Sequence, residues 1–111
     1  MSDTRRLQKG DHVKLVSEKA WGANRGKVMM VRAGVVTKVT KAGFASINIR
    51  PDERFEPVEG SPVYREWRPK ASGILADSHV RIEPITAEEA ARLPQSLTEG
   101  RDYARRLPQE T

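Results

Sequence analysis

The chain is predicted to be mainly β, a small barrel of five or six short strands with a short helical C-terminal extension. Three observations carry this. Apolar and polar residues alternate in short stretches between residues 12 and 83, and glycine-containing connections separate those stretches. From Thr86 onward the alternation gives way to hydroxyl-to-carboxylate spacings that start helices. With 111 residues and 37% apolar composition, the chain can bury one modest core but not two ordinary domains. The expected organisation is a basic tail over residues 1–8, a barrel over 9–83 with a long proline-rich loop at 51–78, and the extension over 84–111.

The first strand lies in "KGDHVKLVS", where Lys9-Gly10-Asp11 makes a turn and Val13 and Leu15 then alternate with His12, Lys14 and Ser17. A basic, glycine-punctuated stretch follows, "SEKAWGANRGK", and then the continuous apolar run Val28 to Val31, which suits a strand covered on both faces, although its periodicity also fits a helical turn. "GVVTKVTK" and "GFASINIR", joined at Lys41-Ala42-Gly43, form the clearest hairpin, because β-branched residues flank a short glycine connection. Alternation places Val35, Thr37 and Val39 on one face with Ala45, Ile47 and Ile49, and turns Lys38, Ser46, Asn48 and Arg50 outward.

From Pro51 the pattern weakens. Four prolines and two glycines between residues 51 and 73 predict a long excursion, with one short strand at "PVYREW". Pro62 and Pro69 on either side of that strand favour an edge strand or an extended loop, since proline cannot donate to a sheet ladder. "SHVRIEPI" alternates again, with Val80 and Ile82 inward, and closes the domain. Thr86 with Glu89 and Ser96 with Glu99 fit capping boxes, so two short helices split by Pro94 follow. Their apolar faces are thin, and Gly100 weakens the second helix by about 1 kcal/mol relative to alanine. Docking on the barrel and ordering only against a partner both remain open.

Charge is unevenly placed. Residues 1–50 hold 11 Lys or Arg against 3 Asp or Glu, and residues 51–111 hold 9 against 12. A field of the first sign concentrates polyanions and displaces counterions from a phosphate backbone. Cysteine is absent, so disulfides and thiolate metal sites are excluded, and His12 and His79 lack ligand spacing. No stretch approaches the roughly 18 apolar residues of a membrane span, and the N-terminus has no apolar targeting region behind its basic residues. A soluble, cytoplasmic protein is expected.

No Ser, His and Asp constellation, phosphate-cradling loop or carboxylate pair in an apolar setting is present; "GANRGK" lacks the strand-loop-helix context and Lys-Ser/Thr ending of a P-loop. Catalysis is therefore not expected, and neither a cofactor, a metal nor a small-molecule substrate is implied.

"KGDHVKLVSEKAWGANRGKVMMV" resembles the KOW motif of SH3-like barrels in ribosomal proteins and transcription elongation factors. The matching features are Gly10-Asp11, alternating Val13 and Leu15, Gly22, and Gly26-Lys27-Val28 leading to Val31. The resemblance covers about residues 9–50 and implies an SH3-like barrel in which Gly26 turns the chain into the second strand. "GVVTKVTKAGFASINI" equally resembles the second and third strands of generic SH3-like barrels, with Gly34 in the turning role and residues 18–33 as one long loop or an extra hairpin.

Two binding roles emerge. In the first, a nucleic-acid module, Lys19, Arg25, Lys27 and Arg32 contact phosphates of RNA or another nucleic acid, and Trp21 stacks on a base. KOW-type barrels imply RNA or a transcription or translation complex as partner. In the second, a protein adaptor, Phe55, Tyr64 and Trp67 anchor a protein partner. Trp21 could equally plug the open end of the barrel against Val13, Leu15 or Met29-Met30. Substituting alanine for Trp21 separates these readings: a stacking residue loses RNA affinity at unchanged Tm, whereas a plug loses many degrees of Tm.

Overall fold

The computed structural model describes residues 6–20, 22, 23, 25–67 and 78–107. Trp21, residues 1–5 of the expected tail and residues 68–77 of the proline-rich segment lie outside the described residues.

Six strands follow one another around a closed antiparallel barrel: β1 (His12–Lys19), β2 (Val28–Val39), β3 (Ala45–Ile47), β4 (Arg50–Pro57), β5 (Tyr64–Glu66) and β6 (Ser78–Pro84). Each pairs with the next and β6 returns to β1, so Leu15 lies opposite Ile82 on one side and Ile82 lies opposite Tyr64 on the other. Val13, Leu15, Ile47, Phe55, Tyr64 and Ile82 fill the interior. This arrangement is compatible with an SH3-like barrel.

The turn from β1 into β2 fixes the first register. Gly26, at φ +87°, donates its N–H to the Lys19 carbonyl at 2.9 Å, and the Lys19 N–H bonds the Lys27 carbonyl at 2.9 Å. A positive φ there is costly for any residue with a Cβ. Gly34 instead lies inside β2, opposite Val13. Residues 18–33 therefore form the end of β1, a short loop and the start of β2, not one long loop.

Three further expectations are corrected. Residues 51–78 are not all loop, because Arg50–Pro57 is a strand paired with β3 and β5. Its alternation was hidden because only Phe55 is buried, among charged neighbours, and the prolines at 51 and 57 sit near its two ends. β5 lies between β4 and β6, so the "PVYREW" strand is interior to the sheet and not at an edge. Between residues 35 and 39 of β2 the buried residue is Val36, 1% exposed, while Thr37, Lys38 and Val39 are exposed. An irregularity between Val36 and Lys38 shifts the pairing with β3 and breaks the simple alternation. Ala45 and Ile47 are buried, as alternation predicts.

Leu7, placed by the sequence in the basic tail, is buried in the core, and its N–H donates to the Tyr64 hydroxyl at 3.1 Å. On the outside, the Arg81 guanidinium donates to Glu18 of β1 and, at 3.1 Å, to Glu83 of its own strand. Partial burial disfavours the Arg81 charge. Hydrogen bonds and attraction from Glu18 and Glu83 outweigh that cost and hold its pKa above the ordinary value.

The C-terminal helices form where the capping boxes place them, α1 at Ala87–Arg92 and α2 at Leu97–Arg106. Thr86 and Ser96 accept from the N–H groups of Glu89 and Glu99 at 3.1 and 3.2 Å. Helix α2 packs on β2, with Gly100 and Ala104 as its buried residues. Consequently β2 is covered twice: Met30 joins the barrel core, and Val31 and Ala33 are buried as well. The Ala33 N–H bonds the Pro94 carbonyl at 2.9 Å and ties the linker between the helices to the same strand.

Gly100 is the contact point. A Cβ there would meet the Val31 carbonyl oxygen at 2.5 Å and the Met30 Cγ and Sδ at 3.1 Å. Gly100→Ala should gain about 1 kcal/mol of helix propensity yet lose more to overpacking, on the order of 1–3 kcal/mol. Thermal unfolding is expected to register a lower Tm. Tyr64→Phe removes the acceptor of the buried Leu7 N–H and should cost about 1 kcal/mol in urea denaturation.

Candidate functional site

Helix α2 carries two of its three arginines on one stripe. Leu97, Arg101 and Arg105 are spaced four apart and so share one face, next to the face on which Gly100 and Ala104 meet β2. Because the glycine lets the helix lie low on the strand, this stripe comes beside the start of β2. The result is a groove of about 590 Å³ lined by Ser17 and Lys19 of β1, Lys27, Val28 to Met30, Arg50, and Leu97, Arg101, Ala104 and Arg105.

Five of the groove's lining side chains are cationic and none is a carboxylate. Two of the cations are partly balanced, Arg50 by Glu53 at 3.0 Å and Arg105 by Asp102 at 3.1 Å. The second pair is solvent-exposed, and such pairs contribute little and leave the guanidinium open to a competing anion. For Lys19, Lys27 and Arg101 no ion pair is seen among the described residues. Met29 and Leu97 add apolar surface, 44% and 43% exposed. The arrangement can hold an anionic ligand that also presents an apolar part.

The sequence-derived phosphate contacts divide. Lys19 and Lys27 face each other across the β1–β2 turn and both line the groove. Arg25 is exposed in the same turn but outside the groove lining. Arg32 is drawn away, since its Nε donates to the Gln95 carbonyl at 3.2 Å and helps fix the linker between α1 and α2. Arg50, Arg101 and Arg105 were missed. The acidic surplus of residues 51–111 concealed Arg101 and Arg105, although their four-residue spacing with Leu97 beside small Gly100 and Ala104 was the available signal, and Arg50 read only as an outward strand residue.

The aromatic anchors also divide. Phe55 and Tyr64 are inside the barrel, 0% and 2% exposed, where no partner surface can reach them. Trp67 is half-buried and meets Phe44 edge-on with ring centroids 6.0 Å apart. The Arg54 guanidinium lies over both rings, at 5.8 Å from Phe44 and 5.0 Å from Trp67. The Trp67 N–H bonds the Arg54 carbonyl at 2.9 Å. Trp67 thus extends the β4–β5 pairing and is engaged by its own chain.

Among the described residues no group of three His, Cys, Asp or Glu side chains is placed to hold a metal ion, and no helix is long and apolar enough to cross a membrane. Met29→Ser and Leu97→Ser each remove a side chain that is a little more than half covered, so each should lower unfolding free energy by on the order of 1 kcal/mol in urea titrations. Comparison with known protein families, curated proteins and solved structures finds no match for this chain.

Proposed function

We propose that the protein is a non-enzymatic nucleic-acid-binding module whose contact surface is the groove between the β1–β2 turn and α2. The observation that carries this reading is the convergence of Lys19, Lys27, Arg50, Arg101 and Arg105, drawn from four separate segments, with no carboxylate among the lining residues. Cations held together against their mutual repulsion favour a ligand that neutralises several of them at once. A phosphate backbone, with regularly repeated charge, does so and releases condensed counterions in the process. The resemblance of residues 9–50 to the KOW motif points the same way, towards RNA or a nucleic-acid machine.

Trp67 is what remains of the proposed protein-binding segment, and Phe44 and Arg54 of its own chain already engage its ring. Nucleic acid is therefore the better-supported partner.

Fluorescence anisotropy of labelled single-stranded RNA, duplex DNA and heparin tests the reading across about 50 to 200 mM salt, where phosphate-driven binding changes most. Binding of nucleic acid in preference to heparin, weakening steeply with salt, is expected. Lys27→Ala and Arg101→Ala should each lower the slope of log K against log salt by about 0.7–0.9, one phosphate contact apiece. Equal, weak binding of all three polyanions, unchanged by either substitution, would overturn the reading.

A further inference from the structure

Resting on the nucleic-acid reading, we infer that the groove selects single strands over duplex, by seating an unstacked base against Met29 and Leu97 while the surrounding cations hold its flanking phosphates. Two features of the groove carry this beyond simple attraction of a polyanion.

The first is the apolar pair itself. Met29 and Leu97 are two of the three large apolar side chains left exposed among the described residues, and both line this one groove. They come from opposite walls, Met29 from β2 and Leu97 from the first turn of α2. A surface built only to attract phosphates gains nothing from exposed methionine and leucine, which cost solvation wherever they face water. Against the face of a base they gain burial, and a thioether makes favourable contact with an aromatic ring.

The second is shape. The groove is concave, and its volume of about 590 Å³ lies within the range of sites that enclose a small ligand. A duplex presents phosphates on its outside and keeps its bases stacked within, so it reaches the cations but cannot deliver a base to the apolar walls. A single strand can splay a base out while its backbone continues along the rim. Lys19 and Lys27 on one lip and Arg101 and Arg105 on the other are placed to hold the phosphates on either side of that base.

The test compares single-stranded RNA, single-stranded DNA and duplex DNA of equal length against the full chain and the Met29→Ser, Leu97→Ser double variant, with urea titration as a check on folding. The full chain should prefer both single strands over duplex. In the double variant, affinity for single strands should fall about fivefold to tenfold, the scale of partly withdrawn apolar contact, while duplex binding and the salt slope stay unchanged. Loss of affinity for single strands and duplex alike, or for neither, would overturn the inference yet leave salt-dependent nucleic-acid binding standing. No salt-dependent binding of any of the three would remove the underlying reading and the inference together. Should the double variant fail to fold, Met29→Gln and Leu97→Gln singly provide the same comparison.

Discussion

Helix α2 can lie on the barrel only because position 100 carries no Cβ. The Val31 carbonyl oxygen occupies the space that one would need, and that single close approach sets the height of the helix above β2. Everything on the helix follows from it. Gly100 and Ala104 form the contact, the linker carbonyls of Pro94 and Gln95 reach Ala33 and Arg32, and Leu97, Arg101 and Arg105 come beside the β1–β2 turn. The glycine that weakens the helix as an isolated segment is what allows it to be part of the fold, so the propensity cost and the packing gain belong to the same residue.

The barrel beneath is built to accept that layer. Residues 30, 31, 33, 34 and 36 of β2 are all buried, with no polar side chain among them. A strand of a bare barrel would show one wet face. β1 carries a similar run, with Leu15, Val16 and Ser17 buried in succession. The unbroken burial along both strands, apolar except for Ser17, is thus the imprint of interior and outer cover together.

Much of the architecture was legible because it is local. Alternation in β1 and β6, the glycine connection between β2 and β3, and the hydroxyl-to-carboxylate spacing of both helix caps are all decided by residues close in sequence. What failed was what depends on distant partners. β4 carries one buried residue, Phe55, among charges, so its pairing is visible only once β3 and β5 lie beside it. The phase of β2 past Val36 is set by an irregular pairing with β3. The site divides by the same rule: Lys19 and Lys27 were legible as a basic turn, whereas Arg50, Arg101 and Arg105 join them only through tertiary contact. Charge counted by halves of the chain pointed away from the C-terminal arginines, because it averaged over faces that the helix separates.

The groove has one wall on the barrel and the other on a helix of ten residues. Occupancy and helix docking are consequently linked equilibria: a ligand that bridges both walls binds the docked form and draws the population toward it. At a ligand concentration a hundredfold above its dissociation constant, that linkage adds about 2.7 kcal/mol to the docked state. The same coupling runs in reverse: lifting α2 from β2 would open the groove, release a ligand held between its walls and bare Val31 and Ala33, now buried.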